Sequence, residues 1–428
     1  MIETTQPAER AFLVGLDVGG KGFDVDDSLD ELGSLVEAAG GTVVGRATQH
    51  RRSADPNTHI GKGKAAELAA ATQRLAAELL VCDDELTPTQ QRGLEDVMGI
   101  RVIDRSAVIL DIFAKHAQSK EGRLQVELAQ LEYRLPRLVG MGKTLSRLGG
   151  GIGTRGPGES KLESERQTIR RRIQDLRARL AEVAQQRERS RRSRSRDGLF
   201  LAALVGYTNT GKSTLLNALS GADVLVADQP FATLDPTTRR TTLPNGTVIL
   251  LSDTVGFVNK LPPVLVAAFH ATLEELRDAD LLVHVVDVSH PNLQERMSVV
   301  DATLRGLAIA ERPRLIVMNK ADSLDGVEGD ALREALASES PDAVFASART
   351  GAGVEDLRDR LAAAAAQGWR RVTVRLPYSA GGLVQRIREH GALKRADYGE
   401  AGIDVEADVP PAFAAELERT EAEGAPRR

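Results

Sequence analysis

The eight residues from Gly206 to Ser213, GYTNTGKS, constrain this chain more than any other stretch. They follow an apolar run, Leu199 to Val205, that reads as a buried strand. They open a stretch of good helix formers, Thr214 to Leu219. Strand, glycine-containing loop and helix in that order make a phosphate-binding P-loop. Loop amides and the positive end of the helix receive phosphate oxygens. Lys212 is placed to reach the β and γ phosphates, and the Ser213 hydroxyl to ligate Mg²⁺. The backbone of Gly206, Tyr207, Thr208, Asn209, Thr210 and Gly211, with Thr214 beyond, completes the predicted nucleotide cradle.

A P-loop requires a parallel sheet, and further strands follow. Val248 to Leu251, Leu281 to Val286, Leu315 to Met318 and Ala343 to Ala346 read as strands, most of them separated by helical stretches. Two carry motifs at their carboxyl ends. Asp253 to Gly256 (DTVG) offers a carboxylate that can hold Mg²⁺ through water and an amide, that of Gly256, that can sense the γ-phosphate. Asn319, Lys320 and Asp322 (NKAD) supply a carboxylate able to accept both N1–H and N2–H of guanine. Adenine offers no such pair, and a buried acceptor left unpaired discriminates strongly. Ser347 and Ala348 follow the next strand and suit a backbone contact to the base. The nucleotide expected is therefore GTP or GDP, with Mg²⁺. An ATPase or P-loop kinase is the rival reading, and the NKAD element speaks against it. Thr233 is the candidate for a second Mg²⁺ hydroxyl, with Thr237 and Thr238 as competitors. Phe257 stands where many GTPases carry a water-orienting Gln and cannot hydrogen-bond a water, so slow intrinsic hydrolysis or help from a partner is expected.

The chain is too long, at 428 residues, for one core. Four segments are expected. Residues 1–120 alternate strands (Phe12 to Val18, Thr42 to Thr48, Leu79 to Cys82, Ile100 to Ile103) with helices, among them one capped by Ser28. That makes an N-terminal α/β domain with a parallel sheet. Residues 121–196 carry Leu124, Leu128, Leu131 and Leu135, then Ile169, Ile173, Leu176, Leu180 and Val183. This narrow stripe fits a helical hairpin around a Gly-rich loop, Gly149 to Gly158, with Pro136 ending the first helix and Ser190 to Arg196 as a linker. Residues 197–367 form the P-loop domain. Residues 368–428 form a small α/β tail with two strand-like runs, Val372 to Leu376 and Ile403 to Val405, and frayed last residues, Glu421 to Arg428.

Charge is uneven. Arg155 to Arg196 hold 14 Lys/Arg against 6 Asp/Glu, an excess of 8, while the whole chain stands at −5. Such an island suits a polyanion, or is a solvated helix face. Aromatic content of 3% argues against stacking on single-stranded bases and favours phosphate and shape contacts. Gly61 to Lys64 is either a phosphate site at a helix start or a surface turn. The single cysteine, Cys82, excludes an internal disulfide. No apolar run reaches membrane-span length and no secretory pattern opens the chain, so a cytoplasmic protein is expected.

Together these residues resemble the HflX-type GTPases of the translation-factor-related class. The resemblance rests on strings outside the nucleotide motifs. These are His59 to Lys64 (HIGKGK), Ile103 to Arg105, Leu110 to Ala114, Leu124 to Gln130, Leu135 to Leu138, Gly149 to Glu159, Leu225 to Arg239 and Asp253 to Phe257. His59 departs from the aromatic usual there, and Gly19, Gly20 and Lys21 are unusual. The resemblance implies binding to the large ribosomal subunit, with rRNA contacts through the N-terminal and helical domains; a monomer is expected. It implies splitting or rescue of stalled ribosomes under stress and hydrolysis stimulated by the ribosome. It also implies a hydrophobic residue at Phe257 and supports Thr233 as the Mg²⁺ hydroxyl. ATP binding by the N-terminal domain has been proposed for the family, but Gly61 to Lys64 is not a Walker loop. A ribosome assembly factor or scaffold without splitting activity is the alternative.

Overall fold

The computed structural model describes residues 8–19, 24–138, 157–197, 199–221, 230–231, 237–262, 265 and 276–424. The chain divides into two units. The first is Met1–Gln185 together with two short segments, Ala227–Asp235 and Val258–Ala271; the second is Gln186–Val226, Pro236–Phe257 and Thr272–Arg428.

In the first unit four strands, β1 (Arg10–Asp17), β2 (Thr42–His50), β3 (Leu79–Cys82) and β4 (Arg101–Asp104), pair in the order β2-β1-β3-β4. Every pairing is parallel. Helices α1 (Val25–Ala38), α2 (Lys62–Arg74), α3 (Pro88–Met98) and α4 (Arg105–His116) connect or follow them. Parallel strands need such crossovers, and the helices bury both sheet faces. Phe12, Val14, Leu80 and Leu94 belong to one core cluster. Helix α3 is specified locally: Thr87 and Gln90 form a reciprocal capping box, Pro88 enters the first turn, and Gly99 ends it at φ 67°. Helix α1 begins before the expected position. Asp24 is its N-cap, and Ser28 lies inside it with its hydroxyl donating to Asp83 Oδ2 at 2.7 Å.

The expected hairpin is α5 (Lys120–Arg137) and α6 (Pro157–Asp197). Leu124, Leu128, Ile169, Ile173 and Leu176 are buried in one cluster, with Leu131, Leu135 and Leu180 packed against it. Arg172 grips Glu127 with two bonds, at 2.7 and 2.9 Å, and Arg177 meets Glu132 at 2.7 Å. Pro136 lies inside the last turn of α5, one residue before its end. The Arg-rich run Ser190 to Arg196 is not a linker: α6 continues through it to Asp197. Arg, Gln and Glu are good helix formers, and no Gly or Pro interrupts them before Gly198. Of the Gly-rich loop, Gly149 to Gly156 lie outside the described residues, whereas Pro157 and Gly158 open α6.

The second unit holds a six-stranded sheet of order β10-β9-β8-β5-β7-β6. Its members are β5 (Phe200–Val205), β6 (Thr237–Thr242), β7 (Val248–Asp253), β8 (Leu281–Asp287), β9 (Arg314–Asn319) and β10 (Val344–Phe345). All pairs are parallel except β6 with β7. Helices α7 (Lys212–Ser220), α8 (Leu293–Gly306), α9 (Val327–Glu339) and α10 (Val354–Ala365) accompany it. Leu204, Leu215, Val283, Val317 and Leu357 belong to one cluster, while Val286, Met318 and Leu336 belong to another. The tail contains one strand more than expected. Strands β11 (Arg370–Leu376), β12 (Ala392–Gly399) and β13 (Gly402–Val409) form an antiparallel sheet of order β11-β13-β12. Helices α11 (Gly382–His390) and α12 (Pro411–Gly424) complete it, so the expected fraying from Glu421 is instead helix to Gly424.

Candidate nucleotide site

The loop between β5 and α7 has a backbone that two glycines make possible. Gly206 sits at φ 156°, and a Cβ there would lie 2.3 Å from the Val285 carbonyl oxygen. Gly211 sits at φ 86°, and a Cβ there would lie 2.5 Å from Asn319 Nδ2. A side chain at either position would force apart packed backbone or a fixed side chain. Lys212, the first residue of α7, folds back over the loop. Its ammonium donates to the Tyr207 carbonyl at 2.7 Å and the Gly206 carbonyl at 3.3 Å. Burial lowers its pKa to about 8, against the opposing charge of Asp253.

Ser213 and Asp253 meet at the end of β7. The serine hydroxyl donates to Asp253 Oδ2 at 2.6 Å. Two hard oxygen donors side by side, within reach of a phosphate cradle, fit Mg²⁺, which takes few protein oxygens and keeps the rest for phosphate and water. The neighbouring Thr254 hydroxyl anchors the turn on the Leu204 carbonyl at 2.7 Å. Gly256 passes so close to the loop that a Cβ would lie 2.9 Å from both Lys212 Nζ and Thr208 Cα. Phe257 then bridges to the loop: its amide donates to the Gly206 carbonyl at 3.0 Å, and Thr208 N–H donates to its carbonyl at 2.7 Å. Its ring is buried.

The third group comes from the end of β9. The buried Asn319 side chain donates to the Thr210 carbonyl at 2.7 Å and accepts the Ala348 N–H at 3.1 Å. One amide thus joins the phosphate loop to the Ser347–Ala348 turn. Lys320, at φ 61°, pairs with Asp287 at 2.7 Å. Asp322 is held below the usual carboxylate range by hydrogen bonds from Ser347 and Arg349.

The second unit therefore gathers Gly206 to Thr214, Asp253, Gly256, Asn319, Lys320, Asp322, Ser347 and Ala348 at the carboxyl edge of one parallel sheet, where such folds receive ligands. Thr233 lies outside the described residues. Its competitors Thr237 and Thr238 are residues of β6, and the Thr238 hydroxyl lies 3.3 Å from that of Ser252. Three members had not been anticipated. Asp287 fixes Lys320, Arg349 meets Asp322, and Arg296 lies over the Tyr207 ring at 4.6 Å. Asp287 closes β8, at the same strand end as the other motifs, and that position was its signal. Arg296 and Arg349 have none in the sequence. Among the described residues no group of three or more His, Cys, Asp or Glu could hold a metal. No helix among them is long and apolar enough to cross a membrane.

Three family models match in succession. They are GTP-binding GTPase N-terminal over residues 26–114, GTP-binding GTPase Middle Region over 116–194 and 50S ribosome-binding GTPase over 201–320. GTPase HflX of Caldanaerobacter subterraneus subsp. tengcongensis is 45% identical over 409 residues, 96% of this chain and 93% of that one. GTPase HflX of Escherichia coli is 43% identical over 383 residues, covering 89% and 88%. Among solved structures, a GTP-binding protein from Sulfolobus solfataricus in complex with GDP is similar at 27% identity and a TM-score of 0.43, covering 84% of this chain and 99% of that one. Identity of this extent along nearly the whole length places the chain in the HflX family of GTPases, which bind and hydrolyse GTP.

Proposed function

We propose that this GTPase is a nucleotide-gated switch that binds the large ribosomal subunit and splits or rescues stalled ribosomes. The observation that carries the nucleotide part is the Asn319 amide, which joins the phosphate loop to the base-reading turn. Support for the ribosomal part is the 50S ribosome-binding description of the family model over residues 201–320.

In this reading the amides of Gly206 to Ser213 receive the phosphates, and Lys212 neutralises their charge. A buried lysine whose pKa is depressed regains its proton fully when phosphate oxygens arrive. Asp322 reads N1–H and N2–H of guanine, and Ser347 and Ala348 border the base. Ser213 would hold Mg²⁺ directly and Asp253 through water, and the ion would neutralise charge on the β and γ phosphates. Gly256 turns its backbone to the third phosphate. Phe257 carries no group that can orient a water, so hydrolysis by the free protein is slow and the ribosome stimulates it. GTP favours the subunit-binding form, and hydrolysis permits release.

The N-terminal α/β domain and the helical hairpin supply the rRNA contacts. The ion pairs of α6 refine that assignment. Arg166, Arg170, Arg172, Arg177 and Arg179 each face a carboxylate of α5 or α6. Their charge is partly neutralised by those partners, so replacing them one at a time should weaken ribosome binding only modestly. Light scattering of intact ribosomes mixed with the protein and GTP tests the splitting activity. A fall in scattering supports it. Unchanged scattering with retained binding favours an assembly factor instead, a reading equally compatible with the 50S-binding description.

A further inference from the structure

The turn beside the base-reading carboxylate carries an arginine that the nucleotide motifs do not include. Residues 347–352 close on themselves. Ser347 N–H donates to the Ala352 carbonyl at 2.8 Å, and Gly351 N–H donates to the Ser347 carbonyl at 2.9 Å. Gly351 permits the reversal at φ 83°. The turn is also tied to the end of β9. Ala321 N–H donates to the Ala346 carbonyl at 3.0 Å, and the Asn319 side chain accepts the Ala348 N–H at 3.1 Å. Arg349 follows directly, so its backbone is held from both sides. Its guanidinium reaches Asp322 and donates to Oδ2.

The two partners differ in freedom. The Arg349 side chain is 79% exposed, that of Asp322 only 19%. Ser347 donates to the same carboxylate and helps to fix it. The carboxylate is thus the stationary member and the guanidinium the movable one. A guanidinium is a planar fork of N–H donors. The N1–H and N2–H edge of guanine is also a planar pair of donors. Both suit an ionised carboxylate, and a base that takes both oxygens meets Arg349 already on Oδ2.

We propose that Arg349 is a built-in competitor of guanine, a plug on Asp322 that must swing out before the base can bind. The inference rests on the reading of Asp322 as the base-reading carboxylate. Its size follows from the pair's exposure. An exposed ion pair favours its closed form only weakly, so open and closed forms interconvert and the apparent affinity is the intrinsic one multiplied by the open fraction. The arginine therefore lowers affinity about twofold to sixfold. The penalty is the same for GDP and GTP, because both present the same base. It falls on association, since a base that has displaced the arginine leaves at its own rate. It also shrinks as salt screens the pair.

The test is stopped-flow binding of fluorescent GDP and a fluorescent non-hydrolysable GTP analogue to the full-length protein and to Arg349→Met. Methionine keeps an unbranched stem beside the base and removes the guanidinium, and at so exposed a position it leaves the fold intact. The variant should bind both nucleotides about twofold to sixfold more tightly, through faster association at an unchanged dissociation rate. Inorganic pyrophosphate, which has no base, should compete equally well with either protein. Unchanged or weaker nucleotide binding by the variant, or an equal gain for pyrophosphate, overturns the proposal. Asp322→Asn separates the two failures. If it turns preference to xanthine while Arg349→Met changes nothing, the base reading stands and the plug alone falls. If it keeps its guanine preference, the base reading falls and the plug with it.

Discussion

Replacing Asn319 by alanine removes the amide that ties the phosphate loop to the base-reading turn, and its cost follows from the two bonds. The Thr210 carbonyl is buried and loses its donor, which costs about 1–3 kcal/mol. The Ala348 amide is half-exposed, so water partly replaces the lost acceptor and the cost is about 0.5–1.5 kcal/mol. The sum, about 1.5–4.5 kcal/mol, is a roughly tenfold to two-thousandfold loss in the folding equilibrium constant of the second unit. The assay is hydrogen exchange read by mass spectrometry, with a peptide spanning Val344 to Gly351. Its Ala348 amide should exchange faster by that same factor where local opening governs exchange. Calorimetry should show the matching downward shift of the transition, and both GDP and the GTP analogue should bind more weakly. Unchanged protection at Ala348 together with an unmoved transition would refute the reasoning that this one side chain organises the site.

Asp322→Asn should turn preference from guanine to xanthine nucleotides, since the amide presents one donor where the carboxylate presented an acceptor; competition titration with XTP and GTP reads the exchange, and retained GTP preference counts against base reading. Leu176→Ala, at the fully buried centre of the hairpin stripe, should cost about 2–5 kcal/mol in thermal or denaturant unfolding. By contrast Arg172→Ala, which breaks a solvent-screened pair, should leave the unfolding transition close to that of the unmodified protein. Burial and the charge of Arg314 lower the His284 pKa from 6.5 to about 4. The unfolded chain then binds the extra proton between those values, so stability is full above about pH 6.5 and falls as pH drops towards 4. His284→Leu should flatten that part of a stability-versus-pH curve.

The motifs were legible because each sits where a strand ends and a loop begins. Gly206 and Gly211 can be read from the sequence as a phosphate loop, and the backbone angles supply the reason: no other residue fits against Val285 and Asn319. The leucine stripe of the hairpin was legible from its spacing, and the same residues pack together. Polar edge strands were not. Strand β6 (TTRRTT) is exposed along most of its length and pairs antiparallel at the sheet's margin, so it shows little hydrophobic alternation. Strand β12 is masked in the same way by Lys394, Arg395 and Asp397. The Arg-rich end of α6 looked like a boundary because charge runs resemble linkers, although arginine itself favours helix. The pairing of Lys260 with Asp83 and Asp84 was invisible for a different reason. Its partners stand 176 and 177 residues away, and no local pattern records such a pairing.

The central claim, a GTP-gated attachment to the large ribosomal subunit, is tested most directly by co-sedimentation with separated subunits in the presence of a non-hydrolysable GTP analogue, GDP or no nucleotide. The account predicts pelleting with the large subunit chiefly in the analogue. Equal pelleting in all three conditions, or none in any, would contradict it.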